Sequence, residues 1–228
     1  WSSDANWSDG IPGDGADVLI DGHSPILAAP TPALKSVVVT NATLTFTNWA
    51  ATLSAGTVTV RNGGKITHAP CDIRFDTGNT NRVRIVCTDL TLDPGGKIDV
   101  NGRGFGGTYP PQPSGHYYGQ GPGRGYSNNG GGHGGFGAVD GYKTSTNDTG
   151  LVYGSASTPV HPGSGGGGAN TSLGSPGGGA VRIEAAGAVV IDGAITADGG
   201  NYNSQGGAGS GGSVWITCSN FAGSAAGI

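Results

Sequence analysis

The residues with the most chemical potential lie in a glycine-rich interior running from Asn101 to about Gly179. Gly102-Arg-Gly-Phe-Gly-Gly107 fits the Gly-x-Gly-x-x-Gly pattern whose backbone amides cradle a pyrophosphate. That chemistry requires a helix after the loop, with its N-terminus facing the phosphates. Tyr109-Pro-Pro111 follows instead and forbids one, so the match reflects glycine abundance and no nucleotide cofactor is implied. Glycine-rich calcium coils need an aspartate at a fixed place in each nonapeptide, and Gly206-Gly-Ala-Gly-Ser-Gly-Gly212 lacks it. Asp14, Asp17 and Asp21 could gather a structural calcium ion, although turn capping is their plainer use.

Hydrolysis of a glycosidic bond calls for a pair of carboxylates. The chain has one glutamate, Glu184, beside Arg182. Asp93, Asp192 and Asp198 precede glycine turns, which leaves Asp89 and Asp99 without an assignment and too scattered to form a site. His23, His68, His116, His133 and His161 show no metal-ligand spacing, and His133, set between glycines, is expected to hydrogen-bond backbone. No metal, cofactor or catalytic residue is therefore assigned. A polysaccharide lyase or hydrolase fragment is the remote alternative to a non-enzyme.

Cys71, Cys87 and Cys218 also lack metal spacing. Cys71 and Cys87 could close one disulfide; the competing reading is three small buried hydrophobes. All seven tyrosines fall in or after the glycine-rich stretch. Either they cover bare glycine backbone, or they offer a platform to a sugar or partner protein, since tyrosine joins a flat apolar ring to a polar tip. Tyr117, Tyr118, Tyr126 and Trp215 are the candidate partner or glycan surface.

The elements that must position these residues are β-strands. Among 228 residues there are 48 glycines, no methionine and 11% charged residues, and the net charge is −4 without a basic cluster. Nucleic acid is excluded as a partner, because phosphate neutralisation needs concentrated Lys and Arg. No apolar run approaches the roughly 20 residues that span a bilayer as a helix, so membrane insertion is not expected. A chain starting at Trp1 reads as a processed mature chain or an excised piece. Its serine- and threonine-rich composition fits an extracellular or cell-surface location. Glycosylation sequons stand at Asn6, Asn41, Asn147 and Asn170.

No segment has helical periodicity. Short β-branched runs recur instead, at Asp17–Asp21, Leu34–Val39, Ala42–Thr47, Thr57–Val60 and Lys65–Thr67. Three segments align: Val83-Arg-Ile-Val-Cys87, Val181-Arg-Ile-Glu-Ala185 and Val214-Trp-Ile-Thr-Cys218. Leu90-Thr-Leu-Asp93 matches Val189-Val-Ile-Asp192, and Lys97–Gly102 matches Ala194–Gly199. Gly-Gly-Lys-Ile occurs both at 63–66 and at 95–98, and Leu44 to Ile66 is one repeat length, within the roughly 20–50 residues of repeat folds. Alternation turns Val83, Ile85 and Cys87 inward and sets Arg84, Arg182 and Trp215 in an outward ladder, where Arg over Trp can stack.

The expected fold is all-β: a right-handed parallel β-helix, or β-solenoid, with an ordered glycine-rich insert of extended polyproline-II-like segments. Residues 1–100 would form a cap and coils, 101–180 the insert, and 181–228 returning coils with a second glycine excursion at 199–213. A flexible linker and a ligand loop are the competing readings of the insert. Trp1 and Trp7 look like a seal on the first coil, and the last repeat stops in mid-coil at Gly227-Ile228.

The opening Trp-Ser-Asp-Gly-Ile-Pro12 and Ala16-Asp-Val-Leu-Ile20, continuing through Ala42–Phe46 and Val60–Ile66, resemble the N-terminal coils of secreted bacterial right-handed β-helix surface proteins. They resemble more weakly the extracellular domain named for its eight glycines. Gly130–Gly137, Pro162–Gly168, Gly177–Ile183 and Gly209–Ile216 resemble glycine-rich modules of large surface proteins and, more loosely, the glycine-rich extracellular region of anaplastic lymphoma kinase. These resemblances imply an architecture and transfer no catalytic motif. The function expected is a secreted structural or adhesive protein that self-associates end to end into a filament or surface layer. The alternative is a carbohydrate-binding module of a surface protein or polysaccharide-active enzyme.

Overall fold

The computed structural model describes residues 1–71, 81–108, 116–139, 149–169, 172–201 and 206–224. Apart from one 3-10 turn at Asp4–Asn6, the regular elements among them are strands. In chain order these are β1 (Asp17–Asp21), β2 (Ile26–Leu27), β3 (Leu34–Thr40), β4 (Thr43–Phe46), β5 (Leu53–Val60), β6 (Lys65–His68), β7 (Val83–Leu92) and β8 (Lys97–Asp99). There follow β9 (His116–Tyr117), β10 (Gly168–Ala169), β11 (Ala180–Ala185), β12 (Ala188–Ile191), β13 (Ala194–Thr196), β14 (Ser213–Thr217) and β15 (Asn220–Gly223).

The chain shuttles between two parallel sheets. One runs β1-β3-β5-β7-β11-β14, with β12 also beside β7 and β15 beside β12; the other runs β2-β4-β6-β8-β13. The repeats aligned in the sequence are hydrogen-bonded neighbours in register. Val83 pairs with Val181 and Val181 with Val214; Leu90 pairs with Val189; Leu44 pairs with Ile66; Ile98 pairs with Ile195. Like residues therefore stack in columns. Val37, Val58, Leu90 and Val189 form one inward column and Ile85 and Ile183 belong to another, all essentially without solvent exposure. Each such side chain contributes about 1.5–3 kcal/mol through burial.

Three departures from the sequence pattern have physical reasons. β7 is one strand where two were expected, because Thr88-Asp89 carries no glycine, whereas its neighbours β11 and β12 are parted at Ala186-Gly187. β2 is too short for alternation to reveal it. β9 and β10 pair antiparallel within glycine-rich sequence that has no strand propensity.

Corners between the sheets are tight turns at equivalent places. Gly64 N donates to Arg61 O and Gly96 N to Asp93 O, each at 2.8 Å. Gly63 and Gly95 hold φ of 73° and 85°, and a Cβ on either would meet the side chain of an asparagine in the preceding turn, Asn41 or Asn62. Only glycine satisfies both demands.

The chain leaves the sheets at Asn101-Gly102 and again at Asp198-Gly199. The two exits lie against each other, with Gly102 N donating to Asp198 O at 2.9 Å and Asp198 N to Asn101 Oδ1 at 2.6 Å. Beyond them, extended glycine segments bond directly to one another. Gly163, Gly165 and Gly166 donate to Gly178, Gln120 and Ser175, while Ser164 N donates to the Ser210 hydroxyl. Donors three residues apart thus reach the same neighbouring segment. The segment at 174–178 repeats the pattern, since Gly174 and Gly177 bond towards Thr108 and Phe105, and Ser175 and Gly178 towards Gly207 and Ser210. A sheet alternates between two sides, whereas a three-residue period sends bonds in three directions. A Cβ on Gly107, Gly178 or Gly212 would overlap a neighbouring carbonyl, so these segments approach more closely than side chains permit.

Candidate functional site

Two aromatic surfaces and one cleft gather side chains with potential for recognition. On the glycine-rich layer, Tyr118 and Tyr126 stack with ring centroids 4.4 Å apart, and the Arg124 guanidinium lies 5.0 Å above the Tyr118 ring. Tyr118 is half exposed, at 53%. Tyr117 is separated from this pair by the strand's alternation: it is buried on β9, where its backbone pairs with Gly168. The structure thus brings together two of the expected tyrosines and removes the third from the surface.

Trp215 stands elsewhere, on the outward face of the larger sheet. Arg182 stacks on it at 4.6 Å, as the register Arg84–Arg182–Trp215 requires. Glu184 accepts from Arg84 Nε at 3.0 Å and from Arg182 at 2.9 Å, which ties the ladder into one network. A second cation–aromatic contact extends it: Arg82 lies 4.1 Å over Trp49 and donates to its carbonyl. Burial, reinforced by Arg84 and Arg182 nearby, lowers the Arg82 pKa to about 10. Nothing in the local sequence ties Trp49 to Arg82; their contact depends on the parallel pairing of β5 with β7.

The cleft, of about 740 Å³, lies between the segment Gly130–Ala138 and the segment Ala208–Ser213, with Val152–Ala156 and Pro159 along one side. His133 Nδ1 donates to the Gly211 carbonyl at 3.1 Å, across its two walls. The ring also packs on Tyr153, whose hydroxyl donates to the Pro162 carbonyl and accepts from Ser164 Oγ. Burial depresses the His133 pKa and raises that of Tyr153, so both are neutral near neutral pH. Among the described residues no Asp, Glu, Lys or Arg lines this cleft.

The remaining sequence candidates resolve as structural groups. Cys71, Cys87 and Cys218 are free thiols, not a bridged pair and a remainder. Cys71 Sγ donates to Asn81 O, and Cys87 occupies an inward column between Ala55 and Ala185. Burial pushes the two thiols up to about 12 and about 11. The aspartates considered for calcium have separate partners. Asp17 binds Lys35 and Ser36, Asp14 accepts from Ala33 N, and Asp21 accepts from Asn41. Among the described residues no three His, Cys, Asp or Glu side chains gather as a metal site. Asn41 is an exposed turn residue at φ 46°. Asn147 and Asn170 lie outside the described residues. Among the described residues no helix is long and apolar enough to cross a membrane.

His68, without metal-ligand spacing in the sequence, has a structural role that the sequence does not show because its partner is distant. It is fully buried, donates from Nδ1 to Ala69 O at 2.8 Å and accepts at Nε2 from Ala180 N at 3.0 Å. It thereby holds the first residue of β11, where the chain returns from the glycine-rich layer. Burial lowers its pKa to about 4.

Residues 6–102 match the G8 domain, a span that takes in β1 to β8 and ends where the chain first leaves the sheets. Neither curated proteins nor solved structures give a match. The likeness to bacterial β-helix surface proteins finds no support in these comparisons, whereas the weaker one, to the extracellular eight-glycine domain, does.

Proposed function

We propose that the chain is an extracellular structural and adhesive module that self-associates end to end. In this reading the two sheets are walls of a right-handed parallel β-helix, and the three-period glycine segments are a polyproline-II-like layer beside it. Alternation of the chain between parallel sheets supports the first point, and the near-universal right-handedness of parallel crossovers supports the hand. The match to the G8 domain, known from extracellular proteins, supports the location.

The observation that carries the reading is the difference between equivalent residues along one column. Val83 and Val181 are buried, while Val214 in the same column is 39% exposed; Leu90 and Val189 are buried, while Phe221 is 45% exposed. At the opposite end of the sheets a groove of about 610 Å³ is lined by Trp1, Trp7, Leu19 and Ile26, of which Leu19 and Ile26 are more than half exposed. Exposed apolar residues at one end and an apolar groove at the other make a heterologous contact, which propagates into a filament where its rotation does not close a ring. Sedimentation velocity across a wide concentration range tests this. Wild-type chain is expected to form concentration-dependent oligomers, Phe221→Asp and Leu19→Asp to remain monomeric, and their equimolar mixture to form a dimer from the two intact surfaces. Monomeric wild type at every concentration sinks the proposal.

The Tyr118–Tyr126 pair with Arg124 favours a second reading, a glycan-binding surface. A glycan array in which Tyr118→Ala and Trp215→Ala behave like wild type counts against it.

A further inference from the structure

Most glycines of the layer are accounted for by their neighbours, because a Cβ would strike backbone. Gly134 and Gly135 are different. Nothing lies within 4 Å of a Cβ on either, and neither has the positive φ that favours glycine. Gly211, on the facing wall of the same cleft, has only Ala197 O at 4.0 Å. Glycine with no reason inside its own fold is a position where another chain can approach closely. The amide N–H groups of Gly134, Phe136 and Gly211 make no hydrogen bond within the described residues. Phe136, the residue after Gly135, is 73% exposed.

We propose that this cleft binds an extended, uncharged glycine- or proline-rich polypeptide as one more chain of the hydrogen-bonded layer. Three features select that occupant. The free amides of two facing walls match the carbonyls of an extended chain, as those of Gly163–Gly166 match their neighbours within the layer. Among the described residues the lining carries no charged side chain, so a charged chain would lose hydration without compensation from them. Phe136, Tyr153 and Pro159 give the aromatic and prolyl faces on which polyproline-II ligands characteristically rest. The volume of about 740 Å³ falls within the range of ligand sites.

The test uses the full chain and a synthetic, end-capped peptide of Gly-Pro-Gly repeats carrying a fluorophore, with anisotropy as the readout. Saturable binding is expected, little affected by salt because no charge is involved. Gly134→Val sets its Cβ where nothing lies within 4 Å, so its melting temperature should match wild type while peptide affinity falls about tenfold or more. Phe136→Ala, at an exposed position, should weaken binding in the same direction. A Lys-Glu repeat peptide of equal length and a neutral glucan hexasaccharide should neither bind nor compete. Absence of saturable binding, equal affinity in both variants, or displacement of the peptide by the hexasaccharide would overturn the proposal.

Discussion

The parallel sheets and the glycine-rich layer are built from the same chain and both are laced by backbone hydrogen bonds, yet opposite parts of the residue hold them together. In the sheets, columns such as Ile85–Ile183 exclude water, and the backbone ladder is their frame. In the layer the frame is nearly everything: successive amides of Gly163–Gly166 bond to three different segments, and the near absence of side chains lets those segments approach. A sheet column tolerates a change of side chain at a cost set by volume. The layer tolerates none where backbone meets backbone, because no rotamer can move aside.

That contrast sets the order of expected effects. Gly212→Ala places a methyl into the Gly179 carbonyl with no side chain to yield, and should cost about 4 kcal/mol or more in chemical denaturation. Gly135→Ala, in the same layer but in open space, should stay within about 0.5 kcal/mol of wild type. Equal losses for the two would break the distinction between structural and open glycines. Ile183→Ala, at a fully buried position on β11, should cost about 2–5 kcal/mol.

His68 joins the two regions and makes the junction acid-sensitive. Its folded pKa, about 4, lies below the ordinary histidine value, so the neutral form is the one that folding favours. The stabilisation is complete above about pH 6.5 and is lost as pH falls towards 4, amounting to about 3 kcal/mol. Thermal melts from pH 7.5 down to 4 should show the decline, and His68→Gln should flatten it. An unchanged slope in the variant would remove His68 from the junction. The smallest effect is expected on the outer face, where Trp215→Leu removes the stack on Arg182 for about 0.5–1 kcal/mol.

Register was legible in the chain because parallel stacking puts like residue on like. Val83, Val181 and Val214, or Lys65 and Lys97, announce their pairing by recurrence alone. The outward Arg182–Trp215 stack followed from the same alternation. Short strands without a period, β2, β9 and β10, could not be read. Neither could the separation of Tyr117 from Tyr118 and Tyr126, since it follows from the pairing of β9 with β10, which the sequence does not announce.

By itself, then, the sequence determined the strand-rich composition, the inward columns and the corners that need glycine. Those are local or recurrent properties, carried by side-chain type and short spacing. Only the tertiary structure decided which glycines are obligatory and which stand open, since the answer depends on a carbonyl from a segment far away in the chain. It also decided that Cys71 and Cys87 remain separate thiols and that His68 meets Ala180 N, a partner 112 residues distant. Contacts of that kind arise from where the pairing of the sheets brings the backbone, and no pattern of residue types encodes them.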